Sequence, residues 1–196
     1  MNITETVDRK DIEKVEKIEK EYYGEQALPV DILIPTANFL GYLFVAKIKK
    51  IVGYTAFLST KEKGQMYCAA ITVLPEFRRR GIATELLERA EEKCRQGGTT
   101  NLVATVGPTN IASLKTFVNN RDWLLSKLLK GFYKENQSSL ILRKVLSRSP
   151  SFTNKIRIST DNIDKLQSNF SKGYYGFKIS NSEILMGKYS EGDLFE

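Results

Sequence analysis

The chain is 196 residues long, and its content of 41% hydrophobic and 27% charged residues is typical of a globular protein and excludes a wholly disordered chain. Histidine is absent and only two cysteines are present, which excludes imidazole catalysis and the usual zinc sites. The formal net charge of +7 indicates an anionic partner, either a nucleic acid or a phosphate-bearing cofactor.

Several features bear on the compartment. The two cysteines, Cys68 and Cys94, are too few for a disulfide scaffold, and we expect both to be buried small hydrophobes. No apolar run approaches the ~20 residues of a membrane helix. Residues 1–6 also lack the basic flank and the apolar core of a signal peptide. We therefore expect a soluble, cytoplasmic protein that does not associate with a membrane.

The first half of the chain predicts one long helix followed by strands. Apolar residues recur at helical spacing over residues 8–23, and the many Glu and Lys residues there are expected to face water. A helical turn or loop is expected at 30–34. Strands at 43–47 and 51–58 form a hairpin, and a third strand at 65–73 ends before a proline, which cannot donate to a strand ladder.

The next segment alternates helices and strands. Residues 81–95 carry a clear helical stripe, which a pair of glycines ends. A short strand at 102–106, a helix at 110–118 and two strands at 123–133 and 139–146 follow. Together with the first half, this order predicts an α/β fold with a mixed sheet.

A polar, proline-containing break at residues 147–151 precedes a short C-terminal segment. Three strands and one helix are predicted within it, at 155–160, 174–179, 183–189 and 162–170 respectively. We predict a main domain of residues 1–147 and a small β-α-β-β extension of residues 148–196. The extension is too short to be stable alone, so it is expected to pack on the core or on a second subunit of a homodimer.

The most informative segment runs from the third predicted strand, through Pro75, into a basic turn that opens the next helix. Backbone N–H groups at a helix start bind phosphate oxygens, with the helix dipole behind them. Gly81 permits close approach of the backbone, Ala83 leaves room beside it, and the three arginines at 78–80 add positive charge. The segment lacks the Lys-Ser/Thr ending of an NTPase P-loop, so it predicts a pyrophosphate site without a magnesium nucleotide.

This segment resembles the GNAT superfamily of acyl-CoA-dependent N-acyltransferases. Residues 78–83 read Arg-Arg-Arg-Gly-Ile-Ala and match the family's Gln/Arg-x-x-Gly-x-Gly/Ala signature. The preceding Val-x-Pro-Glu-x-Arg at 73–78 and the Asn-Ile-Ala-Ser at 110–113 are also similar to the family pattern. The resemblance covers about residues 3–146, and it implies a GNAT-like, mostly antiparallel sheet flanked by helices and acetyl-CoA as co-substrate.

The resemblance also implies a set of acetyl-CoA contacts. The strand before the turn would pair with the pantetheine arm, the amides of the turn would hold the pyrophosphate, and the asparagine that opens the next helix would contact the pantetheine or order the site. The residues implied are Ile71, Thr72, Val73, Arg78, Arg79, Arg80, Gly81, Ile82, Ala83, Thr84 and Asn110.

The catalytic groups are less evident than the binding groups. The family usually places a tyrosine seven residues after the asparagine, as an acid for the departing sulfur, but this chain has Phe117 there. The predicted strands at 65–73 and 102–106 carry no carboxylate that could act as a base. The candidates for the base are Glu21, Glu25, Asp31, Tyr67 and Tyr133.

Three functions follow from these observations. The first is the transfer of an acetyl group from acetyl-CoA to a primary amine of a small molecule or peptide, by direct attack and with polarisation of the carbonyl by strand amides. The second, in which the acceptor is the amine of an aminoacyl group carried by RNA, fits the positive charge but lacks a dense basic stripe. The third is a non-catalytic acyl-CoA-binding module, which the phenylalanine and the missing base would suit.

Overall fold

The computed structural model of the protein describes residues 1–131, 137–147 and 150–190. It contains two compact units, Met1–Thr99 and Thr100–Glu196. Each unit consists of an antiparallel sheet with its own helices. None of the helices in the described part of the chain combines the length and the apolar character that crossing a membrane requires.

The first unit contains a four-stranded sheet in the order β1-β2-β3-β4, with every neighbouring pair antiparallel. Its strands and helices are β1 (Asn2–Glu5), α1 (Arg9–Tyr23), α2 (Val30–Pro35), β2 (Gly41–Ile48), β3 (Lys50–Ser59), β4 (Gln65–Val73) and α3 (Ile82–Gln96). Short irregular helices at Gly24–Gln26, Thr36–Leu40 and Pro75–Phe77 connect them.

Helices α1 and α3 cover opposite faces of this sheet. Asp8 caps α1 by accepting a hydrogen bond from the backbone amide of Lys10, and the apolar stripe of the helix packs with α2 and with Tyr54 of β3 in one core cluster. The neighbouring Gly53 instead lies against Leu86 of α3. Because successive strand residues point to opposite faces, β3 is buried from both sides.

The second unit contains a six-stranded antiparallel sheet in the order β5-β7-β6-β9-β10-β8. Its elements are β5 (Asn101–Val106), α4 (Ile111–Arg121), β6 (Leu124–Lys130), β7 (Ser138–Val145), β8 (Phe152–Ser159), α5 (Ile163–Phe170), β9 (Tyr174–Ser180) and β10 (Glu183–Tyr189). The predicted mixed α/β fold, with a mostly antiparallel sheet, flanking helices and a C-terminal β-α-β-β segment, is confirmed.

Two details of the first unit differ from the sequence prediction. Strand β1 was not predicted, because its four residues carry too short a pattern and it forms by pairing with the distant residues 44–47 of β2. The helical turn expected at 30–34 extends as α2 and continues into a π-helical turn at Thr36–Leu40. Pro35 removes one helical hydrogen bond here, which fits a change in helix type.

The C-terminal segment packs within the second unit. Leu125 of β6 pairs with Gly176 of β9, and a Cβ atom at Gly176 would lie 2.7 Å from Ile184. The amide side chain of Asn119 donates to the carbonyl of Ile179 and accepts from its N–H, both at 2.7 Å. The predicted division of the chain after residue 147 stays a prediction, and these contacts are the ones that a shortened chain would lose.

Candidate functional site

The loop between β4 and α3 is held in place by its own arginines. The Nε atom of Arg78 donates to the carbonyl of Val73 at 2.9 Å, which ties the loop to the end of the strand. The Nη2 atom of Arg80 donates to the carbonyl of Glu76 at 3.0 Å, and its guanidinium lies 5.4 Å from the ring centre of Phe77. Two of the three arginines of the loop, Arg78 and Arg80, are therefore held by contacts within the loop and to the end of β4.

Helix α3 begins with a backbone conformation suited to an anion. Gly81 is the N-cap residue, with φ +78° in the left-handed region, and no side chain caps the helix start. The preceding Arg79 also has a positive φ, of 58°. Arg79 and Gly81 are exposed, so the amides of the first turn and the positive end of a 15-residue helix lie beside three arginines at the surface.

The predicted acetyl-CoA residues of the first unit lie together along this strand, loop and helix start. Ile71 is half-buried, whereas the side chains of Thr72 and Val73 are buried on β4. Within α3, Ile82 is buried and residues 83 and 84 are half-buried. Their roles in binding stay predictions, which the Gly81 variant considered in the Discussion tests.

Asn110 lies in the second unit, where it is the N-cap of α4. Its side-chain Oδ1 accepts a hydrogen bond from the amide of Ser113 at 3.1 Å. Phe117 lies about two turns further along α4, is 2% exposed, and meets the ring of Trp123 edge-on at a centroid distance of 4.9 Å. Phe117 is thus a core residue, as expected for an aromatic ring without a polar group.

The predicted candidates for the base lie at different places. Glu21, Glu25 and Asp31 are exposed, and Tyr67 is half-buried on β4. Tyr133 lies outside the described residues. Their roles as bases stay predictions.

The structure shows a buried carboxylate that was not among the candidates predicted from the sequence. Glu19 of α1 is 2% exposed, and its Oε2 atom accepts a hydrogen bond of 2.7 Å from the amide of Leu28. Its Oε1 atom is buried without a hydrogen-bond partner. Burial raises the pKa of Glu19 above its ordinary value, while the bond from Leu28 lowers it to a smaller extent.

This burial corrects one expectation about α1. The Glu and Lys residues of the helix were expected to face water, but Glu19 and Asp11 are buried. Asp11 is paired, because it accepts hydrogen bonds from Lys47 of β2 and from Thr6. The charged sequence of α1 therefore contains two buried carboxylates. Asp11 is paired, whereas only one of the two oxygens of Glu19 has a partner.

Next to Glu19, a chain of hydroxyl groups connects α1 to β4. The hydroxyl of Tyr23 lies 2.9 Å from Oγ1 of Thr72, and the hydroxyl of Tyr54 lies 3.3 Å from the same atom. Tyr23 is 42% exposed as a residue, but partial burial of its hydroxyl is the largest of the causes that raise its pKa. Thr72 is one of the residues predicted to line acetyl-CoA, so this chain of hydroxyls ends at the candidate site.

A search of protein-family models matches residues 11–119 to the acetyltransferase (GNAT) family. The match spans more than half of the chain and contains the strand, loop and helix start described above. The chain belongs to the GNAT family. The predicted resemblance is confirmed, and a GNAT protein is an acetyl-CoA-dependent N-acetyltransferase.

Solved structures share the fold of this GNAT protein at low sequence identity. The protein yncA from Salmonella typhimurium, solved with its cofactor acetyl-CoA, is 16% identical with a TM-score of 0.64 and covers 79% of this chain and 98% of its own. The ribosomal-protein-alanine N-acetyltransferase from Brucella melitensis is 16% identical (TM-score 0.63; 74% and 99% covered). NAA60 from Arabidopsis thaliana in complex with acetyl-CoA is 14% identical (TM-score 0.63; 74% and 99% covered). No curated protein sequence matches significantly.

The first unit of this GNAT protein has open space and positive charge at the start of α3. The left-handed Gly81 presents no side chain at the helix start, and a Cβ atom placed there would meet no other atom within 4 Å in the free protein. The space beside this residue is therefore open to an incoming phosphate. The exposed arginines 78–80 supply the complementary charge.

Both cysteines of the GNAT protein are expected to be unreactive. Cys68 and Cys94 are buried, and burial raises the pKa of each thiol to about 12. The thiolate is the reactive form, so an aromatic disulfide reagent at about pH 8 should titrate neither thiol in the folded chain and both after unfolding. One rapidly reacting equivalent in the folded protein would contradict this. Because neither protein thiol is expected to react, the released CoA thiol would be the only thiol detected in an activity assay.

Proposed function

We propose that this GNAT protein transfers the acetyl group of acetyl-CoA to a primary amine of a small molecule or peptide by direct attack of the amine. The observation that carries the proposal is the uncapped, left-handed start of α3 at Gly81, directly after β4 and beside three exposed arginines. An ion-binding surface alone would not need this strand, loop and helix in this order, which is the arrangement that the family motif marks.

In the proposed complex, each part of the loop has a separate role. The amides of residues 79–84 hold the pyrophosphate, and the backbone of residues 71–73 pairs with the pantetheine arm. Arg78 acts indirectly, because its Nε atom is engaged by the carbonyl of Val73 and keeps the loop close to the strand. Asn110 orders the start of α4 through its bond to Ser113.

In this reaction, deprotonation of the amine is harder than departure of the thiol. Acetyl-CoA supplies an activated acetyl thioester, and a thiol with a pKa near ~8.5 leaves tolerably as the thiolate. A lysine-like ammonium with a pKa of ~10.4 is neutral only about one time in a thousand at pH 7. The protein must therefore accept a proton from the acceptor, whereas it can dispense with an acid for the sulfur.

A thiol-release assay with saturating acetyl-CoA and a panel of primary amines and short peptides tests the proposal. We expect CoA release that depends on the amine and a product heavier by one acetyl group. If release were seen only with aminoacyl-tRNA and fell steeply with added salt, an RNA-borne acceptor would replace the proposed one. Absence of amine-dependent release from the whole panel would contradict transferase activity toward amines.

Phe117→Tyr is expected to leave turnover within about tenfold, because a group that gives full general-acid catalysis contributes ~10²–10⁴. The ring at this position is buried against Trp123, and the thiolate does not require an acid. Steady-state turnover and a thermal melt of the same preparation measure the effect and confirm the fold. A gain of a hundredfold or more would show that the phenylalanine removes an acid which the reaction needs.

A further inference from the structure

Glu19 is a buried carboxylate, and the contacts around it only partly offset the free-energy cost of its burial. Its side chain is 2% exposed, one oxygen accepts from the amide of Leu28, and the other oxygen has no partner. A buried polar atom without a partner destabilises a fold, so a carboxylate in this position calls for a functional explanation. A glutamine could accept the same bond from Leu28 without the buried charge.

Glu19 lies one helical turn before Tyr23 on α1. Residues four apart on a helix are neighbours on one face, and the charge of Glu19 is one of the groups that raise the pKa of Tyr23. The hydroxyl of Tyr23 reaches Oγ1 of Thr72, in the stretch of β4 assigned to acetyl-CoA. The hydroxyl of Tyr23 is thus hydrogen-bonded to the candidate site, and Glu19 lies beside Tyr23 on the same face of α1 without a direct hydrogen bond to it.

The two pKa shifts give these groups different parts in a proton transfer. A tyrosine with a raised pKa keeps its proton at neutral pH, so it can pass a proton on but is not itself the base. A carboxylate with a raised pKa is a stronger base than an ordinary one. Among the other groups that act on the hydroxyl of Tyr23, Arg78 of the loop lowers its pKa and Cys68 of β4 raises it.

We propose that Tyr23 and Glu19 together accept the proton of the acceptor amine, with Tyr23 at the site and Glu19 behind it. The oxygen of Tyr23 takes a proton from the ammonium as its own proton passes, through one bridging water molecule, to the carboxylate of Glu19. The neutral nitrogen then forms the bond to the acetyl carbon, and the carbon–sulfur bond breaks. The nitrogen loses its second proton; of the two protons released, one ends on the CoA sulfur and one in solvent. This proposal rests on the proposed function.

The first test compares acceptors of different basicity. In Glu19→Gln, kcat/KM is expected to fall about a hundredfold or more for an alkylamine, which is protonated at pH 7, and less than about tenfold for an alkoxyamine, which is already neutral. Tyr23→Phe should show the same dependence on acceptor basicity. Glu16→Gln and Tyr22→Phe are the matched controls on the same helix; Glu16 is paired with Lys20 at 2.8 Å. Acetyl-CoA affinity should not change in any of the four.

The second test needs no turnover. A raised pKa means that the folded protein holds the proton of Glu19 more tightly than the unfolded chain, so stability falls as the pH rises from the ordinary glutamate value through the raised one. The melting temperature of the wild type, relative to Glu19→Gln, should therefore fall as the pH rises above the ordinary glutamate value. Glu16→Gln should show no such difference.

Each outcome decides one point. Equal losses in Glu19→Gln for the alkylamine and the alkoxyamine would show a structural role and overturn the inference, as would unchanged kinetics. If the wild type releases CoA and Glu19→Gln releases it at the same rate, the inference is overturned and the proposed function stands. A wild type without amine-dependent CoA release overturns the proposed function and this inference with it. A melting difference that does not vary with pH would contradict the buried ionised carboxylate.

Discussion

Replacing Gly81 with glutamate is expected to lower acetyl-CoA affinity by about a hundredfold or more. The new carboxylate would stand at the helix start where the phosphates are proposed to bind, and like charges in close contact cost several kcal/mol. About 2.8 kcal/mol corresponds to a hundredfold change in affinity. Calorimetric titration of acetyl-CoA into the wild type and the variant measures the difference directly.

Gly98→Glu is the matched control for this substitution. Gly98 lies just beyond the other end of α3, has φ +79°, and has open space around its Cβ position, as Gly81 does at φ +78°. The strain of a left-handed glutamate, about 1–2 kcal/mol, is therefore the same in both variants. We expect similar losses of melting temperature but loss of acetyl-CoA binding only in Gly81→Glu. If the two variants bound acetyl-CoA with equal affinity, this loop would not be the cofactor site.

A chain that ends at residue 147 is expected to lose stability or to aggregate. It would lose strands β8 to β10 and helix α5, leaving β6 without its partner on one side and Asn119 without either of its bonds to Ile179. Leu125, which is fully buried, would be exposed beside them. We expect a loss of several kcal/mol, which for a chain of this size lowers the melting temperature by about 10 °C or more.

A milder variant covers the case in which the shortened chain does not fold at all. Gly176→Ala places a Cβ atom 2.7 Å from Ile184 and 2.9 Å from Leu125, an overlap that should cost about 1–3 kcal/mol. Gly107→Ala is the control, because its Cβ position has no neighbour within 4 Å. We expect Gly176→Ala to lower the melting temperature by several degrees and Gly107→Ala to leave it unchanged. If the shortened chain melts where the full chain does, residues 148–196 are a dispensable tail.

The sequence predicted most elements because their signals are local. Strand β4 was predicted residue for residue, since a period of two runs up to Pro75. Helix α4 begins where Asn110 caps it, as the Asn-x-x-Ser spacing indicates. Strand β1 escaped prediction because it owes its existence to pairing with β2, a contact across about 40 residues that no local pattern records.

The candidate site likewise has one part that the sequence predicted and one part that it did not. The loop at residues 78–83 could be predicted because a left-handed glycine at a helix start leaves a mark in the sequence. Glu19 leaves none, since glutamate is rarely buried and a helix rich in Lys and Glu predicts a solvated face. What buries it is the return of the chain at Leu28, nine residues later. The burial of Glu19 thus depends on a contact outside its helix that a periodic pattern does not encode.

The position of Trp123 has a practical consequence for spectroscopy. It is the only tryptophan of the chain, it is fully buried, and it belongs to the second unit. Its fluorescence emission therefore reports the packing around one ring, while circular dichroism follows the helices and strands of the whole chain. A substitution that loosens the contact between Phe117 and Trp123 without unfolding the chain should red-shift the emission and leave the dichroism signal unchanged, so two optical signals from the unlabelled protein separate local from global damage.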